Sequence, residues 1–293
     1  MTNKPDFTAW FVIQGFMAAL HRLDFKNDIN NQTTISLLKP LVIESSKTRI
    51  ISKLVSVLPY SLQYKIGDFV TNKGRMRHFY LRKQEVEKNA KILLENEEIS
   101  QVVILGAGLD VLSLKLSNSY PNIKFIEIDT KETQGFKTSS FAKHGVIVPS
   151  NVEFVEGDLR NPLPDILSKS KLFVTGNKTL WIAEGLLMFI PEDSVIRIFS
   201  EIKKYFGNSY IIFTTLPDKK QTSTINYFLQ KFFLHKENCP INWTIPFEKI
   251  KFFMETIEFK ATKNIKYSEL NKIDNCKQKP SITRGENFHI FVT

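Results

Sequence analysis

Two different hydrophobic patterns divide the chain near residue 98. Before that point apolar residues recur every three or four positions, as they do from Trp10 to Leu20, and this spacing predicts helices. The segment from Lys83 to Glu95 has the same period and predicts a regular amphipathic helix. We expect Pro40, Pro59 and Gly67 to separate the helices of this first part.

After residue 98, short apolar runs of strand length replace the helical pattern. Segments long enough for a helix separate these runs, and such alternation is typical of βα units around a parallel sheet. The predicted strands are 101–105, 123–128, 152–155, 179–183 and 210–214.

The last part of the chain predicts a different arrangement. A helical pattern over 247–257 precedes two strand patterns, 259–267 and 288–293. No crossover helix joins these two strands, so they must run antiparallel. We therefore predict an α/β fold with a seven-stranded, mostly parallel sheet and a final antiparallel strand. Residues 1–98 form a helical cap, and residues 99–293 form the core with an insertion at 218–246.

Composition and charge narrow the classes of protein that remain. The chain has 293 residues, of which 42% are hydrophobic, and this is ordinary for a globular protein. Its formal charge is +10, but the basic residues are mostly scattered Lys, whereas nucleic-acid-binding surfaces cluster Arg and Lys. Cys239 and Cys276 belong to no CxxC or Cys/His cluster. We therefore expect no nucleic-acid partner, no disulfide framework and no metal, and a cytoplasmic location.

The apolar stretch from Trp10 to Leu20 predicts no membrane partner. It is about half as long as a membrane span, and Gln14 interrupts it. We interpret it as an amphipathic helix that either packs on the domain or covers a pocket.

A glycine turn follows the first predicted strand. Gly106-Ala107-Gly108 lies between that strand and a short helix, where the backbone can approach a ligand. The third glycine of a dinucleotide fingerprint would fall at Val111, and Asp110 would repel a pyrophosphate. The turn therefore favours S-adenosylmethionine, a nucleoside without phosphate, over NAD. The alternative is a tight turn that binds nothing.

Acidic residues follow the next three predicted strands. Asp129 is our candidate for the ribose hydroxyls of the cofactor, with Glu127 second. Asp158 could accept from an adenine amino group, with the Leu159 backbone beside the ring, and Glu184 ends the fourth strand. Ligands bind at the carboxyl ends of strands in open α/β sheets, so these residues should converge on one crevice. The alternative is a set of surface carboxylates.

Four sequence motifs carry a family resemblance. LGAGLD at 105–110, EID at 127–129, GDLR at 157–160 and WIAEGLLMFIP at 181–191 resemble the leucine carboxyl methyltransferase family of S-adenosylmethionine-dependent enzymes. The resemblance extends from about residue 75 to the end of the chain. It implies a Rossmann-like class I methyltransferase sheet with a helical cap.

The resemblance also implies roles for individual residues. The residues that it assigns to cofactor binding are Arg82, Gly106, Ala107, Gly108, Asp129, Asp158, Leu159 and Glu184. Arg82 would hold the cofactor carboxylate, although the usual Arg-x-Arg with an acidic pair is absent here, and Arg77 is the second choice. Phe189 and Trp243 are our candidates for the acceptor pocket. Phe189 stands where the family frequently has Tyr, and the alternative for Trp243 is packing in the core.

The chemistry of methyl transfer asks little of the protein beyond positioning. Alignment alone can supply roughly 7 to 11 kcal/mol. A carboxylate acceptor needs no base, whereas a hydroxyl acceptor does, and His235 is our candidate base, with an exposed loop residue as the alternative. Many enzymes that methylate nitrogen carry an Asn/Asp-Pro-Pro-aromatic string after the fourth strand, but this chain reads Ala-Glu-Gly-Leu at 183–186. This difference favours an oxygen acceptor over a nitrogen acceptor.

The sequence therefore predicts an S-adenosylmethionine-dependent O-methyltransferase that releases S-adenosyl-L-homocysteine. The expected acceptor is a carboxyl or hydroxyl group of a small molecule, and a protein C-terminal carboxylate is a further possibility. Three alternatives remain: a non-catalytic cofactor-binding or scaffold protein of the same fold, an RNA methyltransferase and an NAD-dependent oxidoreductase.

Overall fold

The computed structural model describes most of the chain in six segments. These are residues 7–21, 29–48, 50–71, 74–217, 240–270 and 285–293. His235 and most of the predicted insertion at 218–246 lie outside the described residues.

Five helices precede the sheet in the described residues between 7 and 96, and we call them the cap helices. They are α1 (Phe7–Leu20), α2 (Ile29–Ser46), α3 (Ile50–Ser56), α4 (Tyr60–Val70) and α5 (Arg75–Asn96). Pro59 directly precedes α4, as we expected of a helix break. Pro40 lies inside α2 and Gly67 inside α4, so our prediction that they separate helices is wrong.

Packing explains why these two helices continue through Pro40 and Gly67. A proline removes one helical hydrogen bond, but the flanking Leu38 and Leu41 are fully buried in the core and hold α2 in place. At Gly67 a Cβ atom would lie only 2.6 Å from the sulfur of Met76, so the missing side chain lets α5 approach α4 closely.

Helix α5 begins eight residues earlier than the amphipathic pattern predicts. The carboxylate of Asp68 accepts hydrogen bonds from the backbone N–H groups of Gly74 and Met76, both at 3.0 Å, and so satisfies donors at the helix start. The additional two turns extend the α5 face that carries Arg82.

A seven-stranded sheet forms the core, with the order β3-β2-β1-β4-β5-β7-β6. Strand β7 runs antiparallel to β5 and β6, and the other neighbouring pairs are parallel. The strands are β1 (Gln101–Leu105), β2 (Lys124–Asp129), β3 (Val152–Glu156), β4 (Thr179–Ala183), β5 (Ser209–Thr215), β6 (Lys260–Ile265) and β7 (Asn287–Val292). This is the fold that the strand spacing predicts.

Helices cover both faces of the sheet. They are α6 (Leu112–Ser117), α7 (Lys131–Lys143), α8 (Leu163–Leu167), α9 (Glu192–Tyr205), α10 (Phe247–Thr256) and α11 (Tyr267–Leu270), with a 3₁₀ turn at Leu187–Phe189. The cap helices share one hydrophobic cluster with one face of the sheet, and α8, α9 and α10 share a second cluster with the other face. No helix in the described segments has the length and apolarity needed to cross a bilayer.

The strand order reverses between β1 and β4, and this position determines where a ligand can bind. From β1 the chain builds outward through β2 and β3 on one side, and through β4 and β5 on the other. The loops after β1 and β4 therefore diverge and leave a crevice at their carboxyl ends.

A buried ion pair and a hydrogen bond connect α7 and α6 to β2. Glu127 and Lys137 are both fully buried, and the Lys137 ammonium contacts one oxygen of the Glu127 carboxylate. The Ser113 hydroxyl donates to the other oxygen. Burial raises the pKa of Glu127, and the Lys137 ammonium opposes that shift. Glu127 thus points into the protein, and the structure gives no support to it as the second choice for ribose binding.

Replacing Lys137 with Met is expected to lower the free energy of unfolding by about 3 to 5 kcal/mol, because Glu127 would remain buried without its counter-ion. Urea denaturation measures this change. Lys143→Met on the same helix is the control, since its exposed ion pair with Glu44 is expected to contribute little. Equal effects of the two substitutions would contradict the structural role of the buried pair.

Candidate active site

A cavity of about 770 Å³ lies between the strand ends and the cap helices α1, α3, α4 and α5. This volume is in the range of about 300 to 1,000 Å³ that is typical of ligand sites. Nine residues that the sequence assigns to the site line this cavity: Arg82, Gly106, Ala107, Gly108, Asp129, Asp158, Leu159, Glu184 and Phe189. Trp243 does not belong to this lining.

The glycine turn after β1 has the conformation for which only glycine is well suited. Gly106 has φ +60° and Gly108 has φ +53°, both in the left-handed region. A Cβ atom on Gly106 would overlap Cδ1 of Leu186, which lines the same cavity. The turn therefore depends on glycine for two reasons: its backbone angle and the close approach of the loop after β4.

Asp110 stabilises the turn from within. Its Oδ1 accepts hydrogen bonds from the backbone N–H groups of Val111 at 2.6 Å and Leu112 at 3.2 Å. Its Oδ2 lies 2.6 Å from Nζ of Lys83. The carboxylate thus lies at the start of α6. This is the position from which we expect Asp110 to repel a pyrophosphate.

Asp129 ends β2 with its carboxylate held against the glycine turn. Oδ2 accepts from the N–H of Gly108 and Oδ1 accepts from the N–H of Thr130, both at 2.7 Å. Burial raises the pKa of Asp129, and these backbone donors oppose the shift. The side chain lines the cavity in one fixed orientation.

Asp158 and Leu159 follow β3 at the outer rim. The Arg160 guanidinium binds both oxygens of Asp158, at 2.5 to 3.0 Å, and lowers the pKa of Asp158. Leu159 is buried, and its carbonyl accepts from Arg197 at 3.0 Å. Asp158 is thus paired with Arg160, two positions later in the chain. Its residue still lines the cavity, so the rim of the cavity contains a carboxylate.

An ionic cluster lies where α5 meets the ends of β4 and β7. We call it the charge cluster; its members are Arg82, Lys83, Asp110, Glu184 and Glu286, and all of them line the cavity. The Nε of Arg82 donates to Glu184 at 2.5 Å, and its Nη1 contacts Glu286. Lys83 lies 3.0 Å from Glu184 as well as contacting Asp110. Three carboxylates thus surround two cations.

These contacts set the charge of the cluster at neutral pH. Burial would raise the pKa of Asp110, but the Lys83 ammonium outweighs burial and lowers the pKa to about 2. In the same way, burial of Glu286 is outweighed by the Arg82 guanidinium, and the pKa of Glu286 lies well below its ordinary value. The pKa of Arg82 is raised because Glu184 and Glu286 outweigh its own burial.

Sequence reasoning missed Lys83 and Glu286 as site residues. Glu286 directly precedes β7 and is 204 positions from Arg82, so no local motif links the two. The backbone N–H of Glu286 donates to Nε2 of the buried His78 at 2.9 Å. Burial lowers the pKa of His78, which keeps the ring neutral and able to accept this bond.

The two predicted substrate-pocket residues have different surroundings. Phe189 lies in the 3₁₀ turn after β4, and its carbonyl accepts from Asn242 at 2.8 Å. Trp243 is buried in the second hydrophobic cluster, with its ring 5.9 Å from that of Phe253. The structure therefore favours packing, the alternative interpretation of Trp243.

No histidine of the described segments lines the cavity. His21, His78, His144 and His289 all lie elsewhere, and His235 is outside those segments. The described residues also contain no group of His, Cys, Asp and Glu that could hold a metal ion. The cavity thus offers carboxylates, three α5 cations (Arg75, Arg82 and Lys83) and backbone N–H groups for chemistry.

Comparison with known proteins identifies the family. The family model for leucine carboxyl methyltransferases matches residues 33–203, more than half of the chain. The chain belongs to the leucine carboxyl methyltransferase family. The matched range includes the glycine turn, Asp129, Asp158 and Glu184, and the predicted resemblance to this family is confirmed.

A curated relative supports this assignment. It is a candidate S-adenosyl-L-methionine-dependent methyltransferase of Mycobacterium ulcerans (strain Agy99), 36% identical over 104 residues. The match covers 36% of this chain and 34% of the relative, so it spans about a third of either protein.

Two solved structures confirm the fold. A candidate methyltransferase of Thermobifida fusca YX has a TM-score of 0.63 at 14% identity, over 89% of this chain and 94% of that one. A DUF574 family protein of Streptomyces avermitilis MA-4680 has a TM-score of 0.62 at 11% identity, over 88% and 97%. The predicted Rossmann-like class I methyltransferase fold is thus confirmed.

Replacing Gly106 with Ala is expected to lower the free energy of unfolding of the protein more than replacing Gly145 with Ala. Both glycines have positive φ, so each substitution should cost about 1 to 2 kcal/mol in backbone strain. Only Gly106→Ala also creates a contact, with Leu186, whereas nothing lies within 4 Å of a Cβ on Gly145. Denaturant unfolding measures the difference, which should be about 1 kcal/mol or more. Identical losses would show that the turn tolerates a side chain.

Replacing Lys83 with Met is expected to move acid unfolding to higher pH. The folded pKa of Asp110, about 2, lies below its ordinary 3.8, so its stabilisation is present above about pH 4 and is lost as the pH falls toward 2. Without the ammonium this pKa rises, and less stabilisation remains. Circular dichroism against pH gives the midpoint. Lys91→Met, which breaks a half-exposed pair on the same helix, should leave it unchanged; a shift as large as that of Lys83→Met would refute the argument.

Proposed function

We propose that this protein transfers a methyl group from S-adenosylmethionine to a carboxylate oxygen of a small molecule and releases S-adenosyl-L-homocysteine. The observation that carries the proposal is the position of Asp129. Its carboxylate is fixed on the glycine turn by the Gly108 N–H at 2.7 Å and lines a ligand-sized cavity at the switch point of the sheet.

The polar groups in the cavity fit this cofactor from one end to the other. We assign the ribose hydroxyls to Asp129 and the adenine to the rim formed by Asp158 and Leu159, both of which line the cavity. The amino-acid portion would lie at the charge cluster, where Arg82 and Glu184 offer a cation and a carboxylate. S-adenosylmethionine supplies an electrophilic methyl group on a positively charged sulfur. The protein's contribution is to bind and align the reactants and to exclude water.

The carboxylates of the charge cluster favour a cation such as the sulfonium. Asp110 and Glu286 stay negatively charged because their pKa values are low, and Arg75, which also lines the cavity, contributes to lowering the pKa of Glu286. Opposite charges attract strongly where water is largely excluded. A dinucleotide would instead bring a pyrophosphate toward Asp110, so an NAD-dependent oxidoreductase is not supported.

The acidity of the same carboxylates favours a carboxylate acceptor over a hydroxyl. A hydroxyl must lose its proton to a base, and the ideal base has a pKa near the working pH. Asp110 has a pKa of about 2 and the pKa of Glu286 lies well below its usual range, so both are poor proton acceptors. Burial raises the pKa of Asp129, but we assign that carboxylate to the ribose hydroxyls. A carboxylate is already ionised and needs no base. Methyl transfer to the C-terminal carboxylate of a protein satisfies the same condition and remains the second candidate.

Asp129→Ala is expected to weaken S-adenosylhomocysteine binding by about 1 to 3 kcal/mol, roughly 5- to 150-fold, through lost hydrogen bonds to an ionised group. Titration calorimetry measures the affinity, and NAD serves as the negative ligand. Glu156→Ala is the matched control, because Glu156 ends the neighbouring strand β3, pairs in register with Asp129 and does not line the cavity.

The outcomes separate the hypotheses about function. The proposal would be overturned if the unmodified protein bound neither S-adenosylmethionine nor S-adenosylhomocysteine. Binding without transfer of labelled methyl to any extract of small molecules or peptides would favour a non-catalytic cofactor-binding protein, and label on RNA alone would favour RNA methylation. An unchanged affinity in Asp129→Ala would show that another residue holds the ribose.

A further inference from the structure

The cavity extends well beyond the residues assigned to the cofactor. Its second half lies among the cap helices, and we call it the cap chamber. The apolar side chains that define it are Phe7, Phe11, Val12, Ile51, Val55 and Ile66. They come from α1, α3 and α4, so three separate helices contribute the same kind of surface.

The two glutamine side chains of the cap chamber, Gln14 and Gln63, already have partners. Nε2 of Gln14 donates to Oε1 of Gln63 at 2.5 Å, and Nε2 of Gln63 donates to the Leu58 carbonyl at 2.7 Å. Arg75, at the start of α5, is the charged residue among the described lining of this half, and its charge acts on Glu286. A ligand rich in amides or hydroxyls would therefore lose hydrogen bonds to water and gain few in the chamber.

An aromatic wall connects the cap chamber with the charge cluster. The Arg82 guanidinium lies 5.4 Å from the centre of the Phe79 ring, and the Phe79 ring packs edge-on against Phe11 at 6.1 Å. Phe79 precedes Arg82 by about one turn of α5, so the two line the same side of the cavity. A molecule in the chamber can thus present one end to the cluster while its body stays against apolar groups.

The entrance to the cap chamber is apolar as well. Ile51 and Ile66 line the cavity yet are 47% and 37% exposed, so they form part of its outer edge. Leu54 and Phe69 on the same two helices are 63% and 87% exposed. Apolar residues therefore continue from the surface of α3 and α4 into the chamber.

We propose, on the basis of the function proposed above, that the acceptor is an apolar carboxylic acid whose hydrocarbon body fills the cap chamber. Its carboxylate faces the charge cluster, where the cofactor's sulfonium would attract it. One carboxylate oxygen forms a bond to the methyl carbon as the carbon–sulfur bond breaks, and the electron pair of that bond goes to sulfur. The products are a neutral methyl ester and S-adenosylhomocysteine, and no proton moves.

Chain length provides the first test. Initial rates with labelled S-adenosylmethionine are compared for acetate, hexanoate and decanoate, and for a peptide that ends in leucine. Because each buried methylene contributes about 0.8 kcal/mol, kcat/KM should rise about fourfold per added methylene until the chamber is full. Decanoate should exceed acetate by at least a hundredfold and should also exceed the peptide.

A chamber-filling substitution provides the second test. Val55→Trp places a large ring in the chamber and should lower kcat/KM for decanoate at least tenfold while S-adenosylhomocysteine still binds with unchanged affinity. Val57→Trp is the matched control, since Val57 is two positions away, 76% exposed and outside the cavity lining, so both measurements should stay unchanged.

The measurements distinguish failure of this inference from failure of the proposed function. Loss of S-adenosylhomocysteine binding in the unmodified protein would overturn both. With that binding intact, equal rates for acetate and decanoate, preference for the peptide, no methyl transfer to any of these acids, or an unchanged kcat/KM in Val55→Trp would each overturn the apolar-acid acceptor alone.

Discussion

The candidate site depends on the ion pairs of the buried Arg82 guanidinium. A charge removed from water is costly unless partners compensate it, and Arg82 has two, Glu184 at the end of β4 and Glu286 at the start of β7. It thereby joins a cap helix to two strands that are distant in sequence. Lys83 extends the connection to Asp110 and so to the glycine turn after β1. Electrostatic compensation, in addition to apolar packing, determines where the cap lies over the sheet.

The cavity combines two surfaces of opposite character because two kinds of element form it. Parallel strands end in loops whose backbone N–H groups and carboxylates face outward, and these give the polar end at Asp129 and Asp158. The cap helices contribute the side chains of amphipathic faces, which are mainly apolar. The boundary follows α5, whose residues change from Phe79 to Arg82 within one turn. A reaction between a charged cofactor and a less polar acceptor is suited to such a boundary.

Periodicity and strand-end motifs were sufficient to predict the sheet, its antiparallel β7 and most of the nine predicted residues of the cavity lining, whereas Arg82 and Phe189 came from the family resemblance. These features depend on local patterns and on the rule that strands carry ligands at their carboxyl ends. The early start of α5 was not predictable, because Asp68 caps it through a fold-back of the chain. Glu286 was missed because its link to Arg82 joins opposite ends of the sequence. Burial of Trp243 likewise depends on packing against Phe253, which no spacing reveals.

The two backbone bonds to Asp129 have a consequence for the thermodynamics of ligand binding. A free aspartate on a surface samples several rotamers, and a ligand that selects one of them must compensate the lost conformational entropy. Here the N–H groups of Gly108 and Thr130 hold the carboxylate in a single orientation within the folded chain. Folding therefore already restricts this side chain, and a ligand that forms hydrogen bonds with Asp129 would add little further loss of side-chain entropy.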